Sequence, residues 1–266
     1  MTAIWPICRA AIEVEMCGRF ALTATPDQVR LFVDLVVLQD FPPRYNIAPT
    51  QPVSVVMAGP PREPGSNLPN RVELLVRWGF IPNWAKNPKE LPLLINARSE
   101  TAAEKNTFRA AMRHRRALIP ASGFYEWKRQ GGKPVQAYWI KPRHGGLIAF
   151  GGLVETFSEP GGSEVDTGAI LTTSANEAIS HIHHRMPVVI QPQDFSRWLD
   201  CINSEPRDVA DLMQPVQPDF FEAIPVSDKV NKFSNTGPEI QERVEPRTEP
   251  VLAEKEDRNA GQLDLF

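Results

Sequence analysis

Four patterns in this chain are of the kind that does chemistry. They are a cysteine beside a glycine at Cys17-Gly18, a glutamate enclosed by aromatics at Glu126, three histidines within four residues at His181, His183 and His184, and an asparagine two places before an arginine at Asn96-Ala97-Arg98. Each has a plain structural alternative. An unpaired cysteine is most often a small buried hydrophobe. Glu126, inside Gly123-Phe-Tyr-Glu-Trp127, is either an ion-paired core residue or a functional carboxylate; buried carboxylates are rare, and perturbed ones cluster at functional sites. The histidines suggest zinc by type, but no Cys or His stands at ligand spacing to complete a set, so they read as a surface cluster and no metal is expected. Asn96-Ala97-Arg98 fits a turn with a solvated arginine. Trp78, Trp84, Trp127 and Trp139 are of a type found more often in cores than as stacking platforms. No single residue decides the function.

The elements that must position these residues follow from periodicity and turn chemistry. Thr25-Pro26 is an N-cap followed by a first-turn proline, and Val29, Phe32, Val33, Val36 and Val37 keep helical spacing, which predicts a helix over residues 26–38. Short apolar, β-branched or aromatic runs at 53–57, 72–80, 116–127, 136–141, 147–154, 168–174 and 186–190 read as strands separated by Gly and Pro clusters. Thr101-Ala-Ala-Glu104 has capping-box spacing ahead of a segment running to Arg113, and residues 176–182 and 193–200 also read as helical. The class is α+β: a single domain with a mixed, largely antiparallel β core flanked by short helices. Segments 59–70 and 158–168 are loops, and the chain contains no internal repeat and no glycine-rich nucleotide-binding motif.

Composition narrows the classes further. With 266 residues and 42% hydrophobic side chains, the chain can bury a substantial core without disulfides or metals. Cys8, Cys17 and Cys201 are too scattered for a disulfide framework, which points to a reducing cytoplasm. No window approaches the roughly 20 apolar residues of a membrane span. Met1–Glu15 carries one basic residue, Arg9, and lacks the apolar stretch of an export signal. The net charge of −3 is uneven: residues 236–266 contribute −4 and residues 1–16 contribute −1, which leaves +2 on residues 17–235. A mildly basic core permits nucleic-acid binding through a local patch.

Taken together and in order, the motifs are more specific. Met16-Cys-Gly-Arg-Phe20, Arg44-Tyr-Asn-Ile-Ala-Pro49, Arg77-Trp-Gly-Phe-Ile-Pro82, Ile95-Asn-Ala-Arg-Ser-Glu-Thr101, Gly123-Phe-Tyr-Glu-Trp127, Thr172-Thr-Ser-Ala-Asn176, His183-His-Arg-Met-Pro187 and Val230-Asn-Lys-Phe-Ser-Asn235 occur in this sequence. The chain resembles the SOS-response-associated peptidase family, also called abasic site processing proteins, over roughly residues 16–240. The resemblance implies a cofactor-free, monomeric protein that links itself covalently to abasic sites in single-stranded DNA, in the cytoplasm and at the nucleoid. An abasic deoxyribose opens to an aldehyde, which a neutral amine attacks to form an imine. An α-amine, with a reference pKa near about 8, is partly neutral at cytoplasmic pH, whereas a lysine at roughly 10.4 is not. A thiol on the same residue can then close onto the imine carbon as a five-membered thiazolidine, and only an N-terminal cysteine offers both groups.

By the same resemblance, Cys17 is the reacting residue, Glu126 transfers protons as the sugar ring opens, His183 assists proton transfer around the imine and thiazolidine, and Asn96 positions the sugar and the α-amine. Arg19, Arg98 and Arg185 hold phosphates, while Trp78 and Pro49 pack against bases beside the lesion. The departure is at the N-terminus, because family members begin Met-Cys and here fifteen residues precede Met16. The expectation is that residues 1–16 are missing from the mature protein, through a start at Met16 or cleavage before Cys17. Two alternatives remain: a self-processing peptidase that cuts Met16–Cys17, and a non-covalent single-strand DNA-binding module.

Residues 17–240 are expected to form the catalytic domain. The Glu-, Pro- and Arg-rich composition from about 236 onward predicts disorder, with 241–266 as an acidic tail. That tail ends Gln262-Leu263-Asp264-Leu265-Phe266, which resembles the short peptide by which bacterial replication proteins dock on the DNA polymerase sliding clamp. Gln262, Leu263, Leu265 and Phe266 are the expected clamp contacts.

Overall fold

In the computed structural model, residues 17–60, 65, 66, 70–130, 133–159 and 161–247 are described. Their elements in chain order are β1 (Arg19–Leu22), α1 (Pro26–Phe32), β2 (Arg44–Ile47), β3 (Pro52–Ala58), β4 (Arg71–Trp78), β5 (Asn96–Arg98), α2 (Ser99–Ala102), α3 (Arg109–His114) and β6 (Arg116–Ala121). Then follow β7 (Gly123–Gln130), β8 (Lys133–Pro142), β9 (Ile148–Ser158), β10 (Glu164–Ser174), α4 (Glu177–Ser180), β11 (Arg185–Pro187), β12 (Val189–Ile190), α5 (Phe195–Leu199) and β13 (Phe221–Val226). The class is α+β with dominant strands. No helix among the described residues is long and apolar enough to cross a membrane.

The strands form two sheets. A five-stranded sheet runs β13-β8-β7-β1-β2 with every neighbour antiparallel. In the second sheet β10 pairs with β4 on one side and β9 on the other, and β4, β3, β6 and β9 pair in turn. These five strands therefore close on themselves, which leaves them no free edge among one another. Toward the C-terminal end of β10, β5 takes over from β4 and β11 from β9, with Thr172 opposite both Arg98 and Pro187. This handover brings two distant polar motifs to the same place.

Local chemistry explains where elements begin and end. Thr25 caps α1 as expected: Gln28 N–H donates to Thr25 Oγ1 at 3.3 Å, and Thr25 N–H donates to Gln28 Oε1 at 2.9 Å. The helix stops at Phe32, short of the expected residue 38. Asp34 adopts φ 53°, and the Leu35 and Asp34 N–H groups bond back to Arg30 O and Leu31 O. That is a Schellman stop, which a short polar side chain tolerates when no glycine is present. The run 116–127 is two strands in different sheets. Ser122 N–H binds Ala21 O at 2.7 Å at the crossing, and a Cβ on Gly123 would lie 2.4 Å from Ile140 O. Thr101 sits inside α2 and does not cap a long helix; the expected segment 101–113 is broken by turns between α2 and α3.

The sequence reading missed β1, β2 and β5, whose short runs include arginines or asparagines, and β13, which carries a glutamate and a proline. It also placed the tail too early. Ile240 is fully buried, Val244 N–H donates to Pro225 O at 2.9 Å, and Arg247 N–H donates to Gln136 Oε1 at 3.1 Å. The chain is therefore docked through residue 247, against the expected disorder from about 236 and the boundary at 240. Few apolar residues suffice there because the strap adds to an existing cluster of Tyr125, Trp139, Val226 and Val230 on the outer face of the five-stranded sheet. The clamp-like residues Gln262, Leu263, Leu265 and Phe266 and the extension 1–16 lie outside the described residues.

Candidate active site

Strand alternation sets the orientation of the glutamate. Phe124 and Tyr125 of β7 fall in different apolar clusters, Phe124 in the main core and Tyr125 and Trp127 in the outer one. Glu126 therefore shares the inward face of β7 with Phe124. The side chain is 5% exposed, and burial pushes its carboxyl up to about 8. The Trp127 N–H, Arg129 and the Cys17 N–H pull weakly the other way. A carboxyl poised there can accept or give a proton near neutral pH, as acid–base catalysis requires.

Cys17 lies immediately before β1 and is 1% exposed. Its Sγ is 3.8 Å from Arg19 O, and its own carbonyl accepts a hydrogen bond from Asn96 Nδ2 at 3.2 Å. Burial raises the thiol well above its ordinary pKa, and the nearby Glu126 raises it further. The sulfur is held as a thiol, so any reaction at it needs a partner that takes the proton. Glu126 meets that requirement by position, because its carboxyl reaches the Cys17 N–H.

His183 comes from the turn between α4 and β11. Its Nδ1 is 4.0 Å from Glu126 Oε1, and its side chain is 8% exposed. The same Nδ1 lies 3.1 Å from the Arg185 nitrogen and 3.2 Å from the Arg185 carbonyl oxygen, so the backbone of Arg185 holds the ring in place. Asn96 comes from β5 at the handover on β10. Three buried side-chain polar atoms among the described residues lack a hydrogen-bond partner: Asn96 Oδ1, Glu126 Oε1 and Arg185 Nε. Unsatisfied buried polar atoms cost free energy, and two of the three belong to residues that touch Cys17, Asn96 and Glu126, which marks a site built to receive something polar.

The expected DNA contacts divide. Arg98 is exposed on the face of β5 that also carries Asn96. Pro49 is half-buried in the turn after β2, where Thr50 N–H binds Trp78 O at 2.7 Å. Arg19 is already committed, with bonds to Asn46 Oδ1 at 2.9 Å, Val230 O at 2.8 Å and Asn231 O at 3.2 Å. Arg185 is likewise engaged, with both terminal nitrogens on Glu100. Trp78 does not fit the expected base contact. Its ring is 1% exposed, packs edge-on to Phe20 at 5.2 Å and donates Nε1–H to Ile95 O at 2.9 Å. The exposed tryptophan of this region is Trp84, at 54%. Sequence offered the signal: Trp78 ends an apolar strand run, whereas Trp84 follows Pro82-Asn83 in a polar loop. Among the described residues no group of three or more His, Cys, Asp or Glu is placed to hold a metal.

Comparison with known proteins adds to this geometry. The sequence profile of the family described as SOS response associated peptidase (SRAP) matches residues 16–233. The abasic site processing protein YoqW of Bacillus subtilis (strain 168) is 39% identical over 230 residues, covering 85% of this chain and 99% of that protein. The abasic site processing protein HMCES of Gallus gallus is 29% identical over 221 residues, covering 74% and 65% respectively. Among solved structures, a protein from Bacteroides thetaiotaomicron shares the fold with a TM-score of 0.71 at 22% identity, covering 86% of this chain and all of that one.

Proposed function

The chain belongs to the SOS response associated peptidase family, and on that premise we propose that it processes abasic sites in single-stranded DNA by covalent capture at Cys17. The observation that carries the proposal is the buried Glu126 carboxyl, set against the Cys17 nitrogen with its Oε1 unpartnered and His183 beside it. In this reading the α-amine of Cys17 attacks the C1′ aldehyde, and the carbinolamine loses water to give an imine. The thiol then adds to the imine carbon, and its proton ends on nitrogen. A buried thiol is a poor nucleophile until its proton leaves, and Glu126 and His183 are the groups placed to move it. Asn96 holds the Cys17 carbonyl and so aims the nitrogen. Trp84 takes the stacking role first assigned to Trp78, and Arg98 supplies a phosphate contact.

The capture requires that the Met16–Cys17 bond be open, because an amide nitrogen is not nucleophilic. A second reading, self-cleavage at that bond with water taking up the Met16 acyl group, draws support from the same contact: a carboxyl with a pKa near 8 at the Cys17 N–H can protonate the departing nitrogen. Residues 17–247 form the working domain of either reading. The tail beyond it carries the clamp-like terminus, which would tether the protein near exposed template strands in the cytoplasm.

The test uses protein beginning at Cys17 and an oligonucleotide with one abasic site, separated on a denaturing gel. A crosslinked band should form without reductant, and Cys17→Ser should give only an adduct that borohydride must trap. Absence of any band from the Cys17-started chain would overturn the capture reading. Incubation of the full-length chain, with its N-terminus read by mass spectrometry, tests self-cleavage: a first-order loss of residues 1–16 supports it, and a stable chain rejects it.

A further inference from the structure

Arg185 lies on β11 with its side chain 10% exposed. Its Nη1 and Nη2 donate to Glu100 Oε1 and Oε2 at 2.6 and 2.8 Å, and Nη2 also reaches Thr172 O at 2.6 Å. Two parallel N–H···O bonds are the fork geometry with which guanidinium grips a carboxylate or a phosphate. The partner is the looser of the two, since the Glu100 side chain is 48% exposed at the start of α2. Arg98, two residues earlier on the neighbouring strand, adds a second positive field, and the two guanidiniums hold the Glu100 carboxyl below its ordinary range. Arg185 Nε is buried with no partner. A buried, partly unsatisfied guanidinium, two residues after His183, is thus covered by one half-exposed carboxylate.

With Arg185 read as a phosphate contact, as the family resemblance implies, we propose that Glu100 occupies its fork in the unbound protein, so that a DNA phosphate enters by displacing the Glu100 carboxylate. The inference rests on the DNA-binding reading above, but not on the covalent chemistry. The carboxylate and the phosphate compete for the same two nitrogens. Each phosphate bound at this fork therefore costs the Glu100 contact, which lowers affinity for any single strand that brings nothing else to the site. Glu100 is in this sense a specificity residue. It weakens binding to undamaged strands, while a strand that also reacts at Cys17 is retained.

The experiment measures binding of an intact single strand, with no abasic site, by fluorescence anisotropy across a salt series. Glu100→Gln keeps the shape and removes the competing charge. It should tighten binding on the order of fivefold and steepen the salt dependence by roughly 0.7, the contribution of one further phosphate on a single strand. Glu100→Ala should move the same way, which covers a failure of either variant to fold. The deciding arm is Arg185→Met, which keeps side-chain bulk: in that background Glu100→Gln should change neither affinity nor slope. If the gain persists there, Glu100 acts only as a remote charge and the proposal fails. It also fails if Glu100→Gln binds no tighter while its melting temperature is unchanged. Wild-type crosslinking to an abasic strand, run in parallel, separates this outcome from failure of the capture reading.

Discussion

Glu126 Oε1 and His183 Nδ1 face each other at 4.0 Å, inside the protein, across the gap between the two sheets' contributions to the Cys17 site. His183 Nδ1 is already engaged by the Arg185 N–H at 3.1 Å, and Glu126 Oε1 has no hydrogen-bond partner. The pair is therefore adjacent without being neutralised, and the cost falls on the carboxylate form of Glu126.

That cost makes stability depend on pH. The Glu126 carboxyl is raised by burial to about 8 from an ordinary 4.5, so between those values the folded chain holds a proton that the unfolded chain releases. The unfolded state then binds fewer protons, and stability falls as pH rises from about 4.5 to 8. The fall attributable to this group is on the order of 5 kcal/mol. Glu126→Gln should remove that part of the slope and be more stable than wild type at pH 9. Urea melts from pH 5 to 9 measure it, and parallel wild-type and variant curves would show that Glu126 is not the buried acid described.

Trp78 and Trp84 should separate by phenotype. Trp78→Ala empties a core site and should lose about 3–5 kcal/mol of stability. Trp84→Ala should melt within about 0.5 kcal/mol of wild type yet bind single strands more weakly by about 1–3 kcal/mol, the worth of one stacked base. Thermal melts and anisotropy titrations on both variants check this. Unchanged DNA affinity for Trp84→Ala would remove the stacking role.

The strap beyond residue 235 should behave as part of the domain. Ile240 is fully buried against Tyr125, Trp139 and Val230, so Ile240→Ala should cost about 2–4 kcal/mol in a denaturant melt. A loss below 0.5 kcal/mol, on the scale of about that seen for surface sites, would show that the strap does not pack as described.

The C-terminal Gln262-Leu263-Asp264-Leu265-Phe266 should bind the host's sliding clamp as a peptide of residues 257–266. Substitution of Leu265 and Phe266 by alanine should abolish binding, because large apolar anchors carry most of the energy of such contacts. Fluorescence anisotropy with purified clamp reads both peptides. Equal binding by the two refutes the docking reading and leaves the Cys17 chemistry untouched.

The sequence by itself determined which residue types stand where in an ordered set of motifs, and that order was enough for the family and for the α+β class. Local rules were legible wherever the determinant is local: Thr25, Pro26 and Gln28 open α1, and short apolar runs locate β3, β4 and β9 within a few positions. Only the tertiary structure decided what each polar residue faces. Asn96, Glu126 and His183 lie on β5, on β7 and before β11, far apart in the chain; β10 brings the first and last together by exchanging one neighbour for another along its length, and the other sheet supplies Glu126. No local pattern encodes that exchange. For the same reason the pairing of Arg185 with Glu100 is not legible from residue type, whereas the contexts of Trp78 and Trp84 do differ in the sequence. Burial and pairing are properties of the packed chain, and they set the pKa of Glu126 and the availability of every arginine at this site.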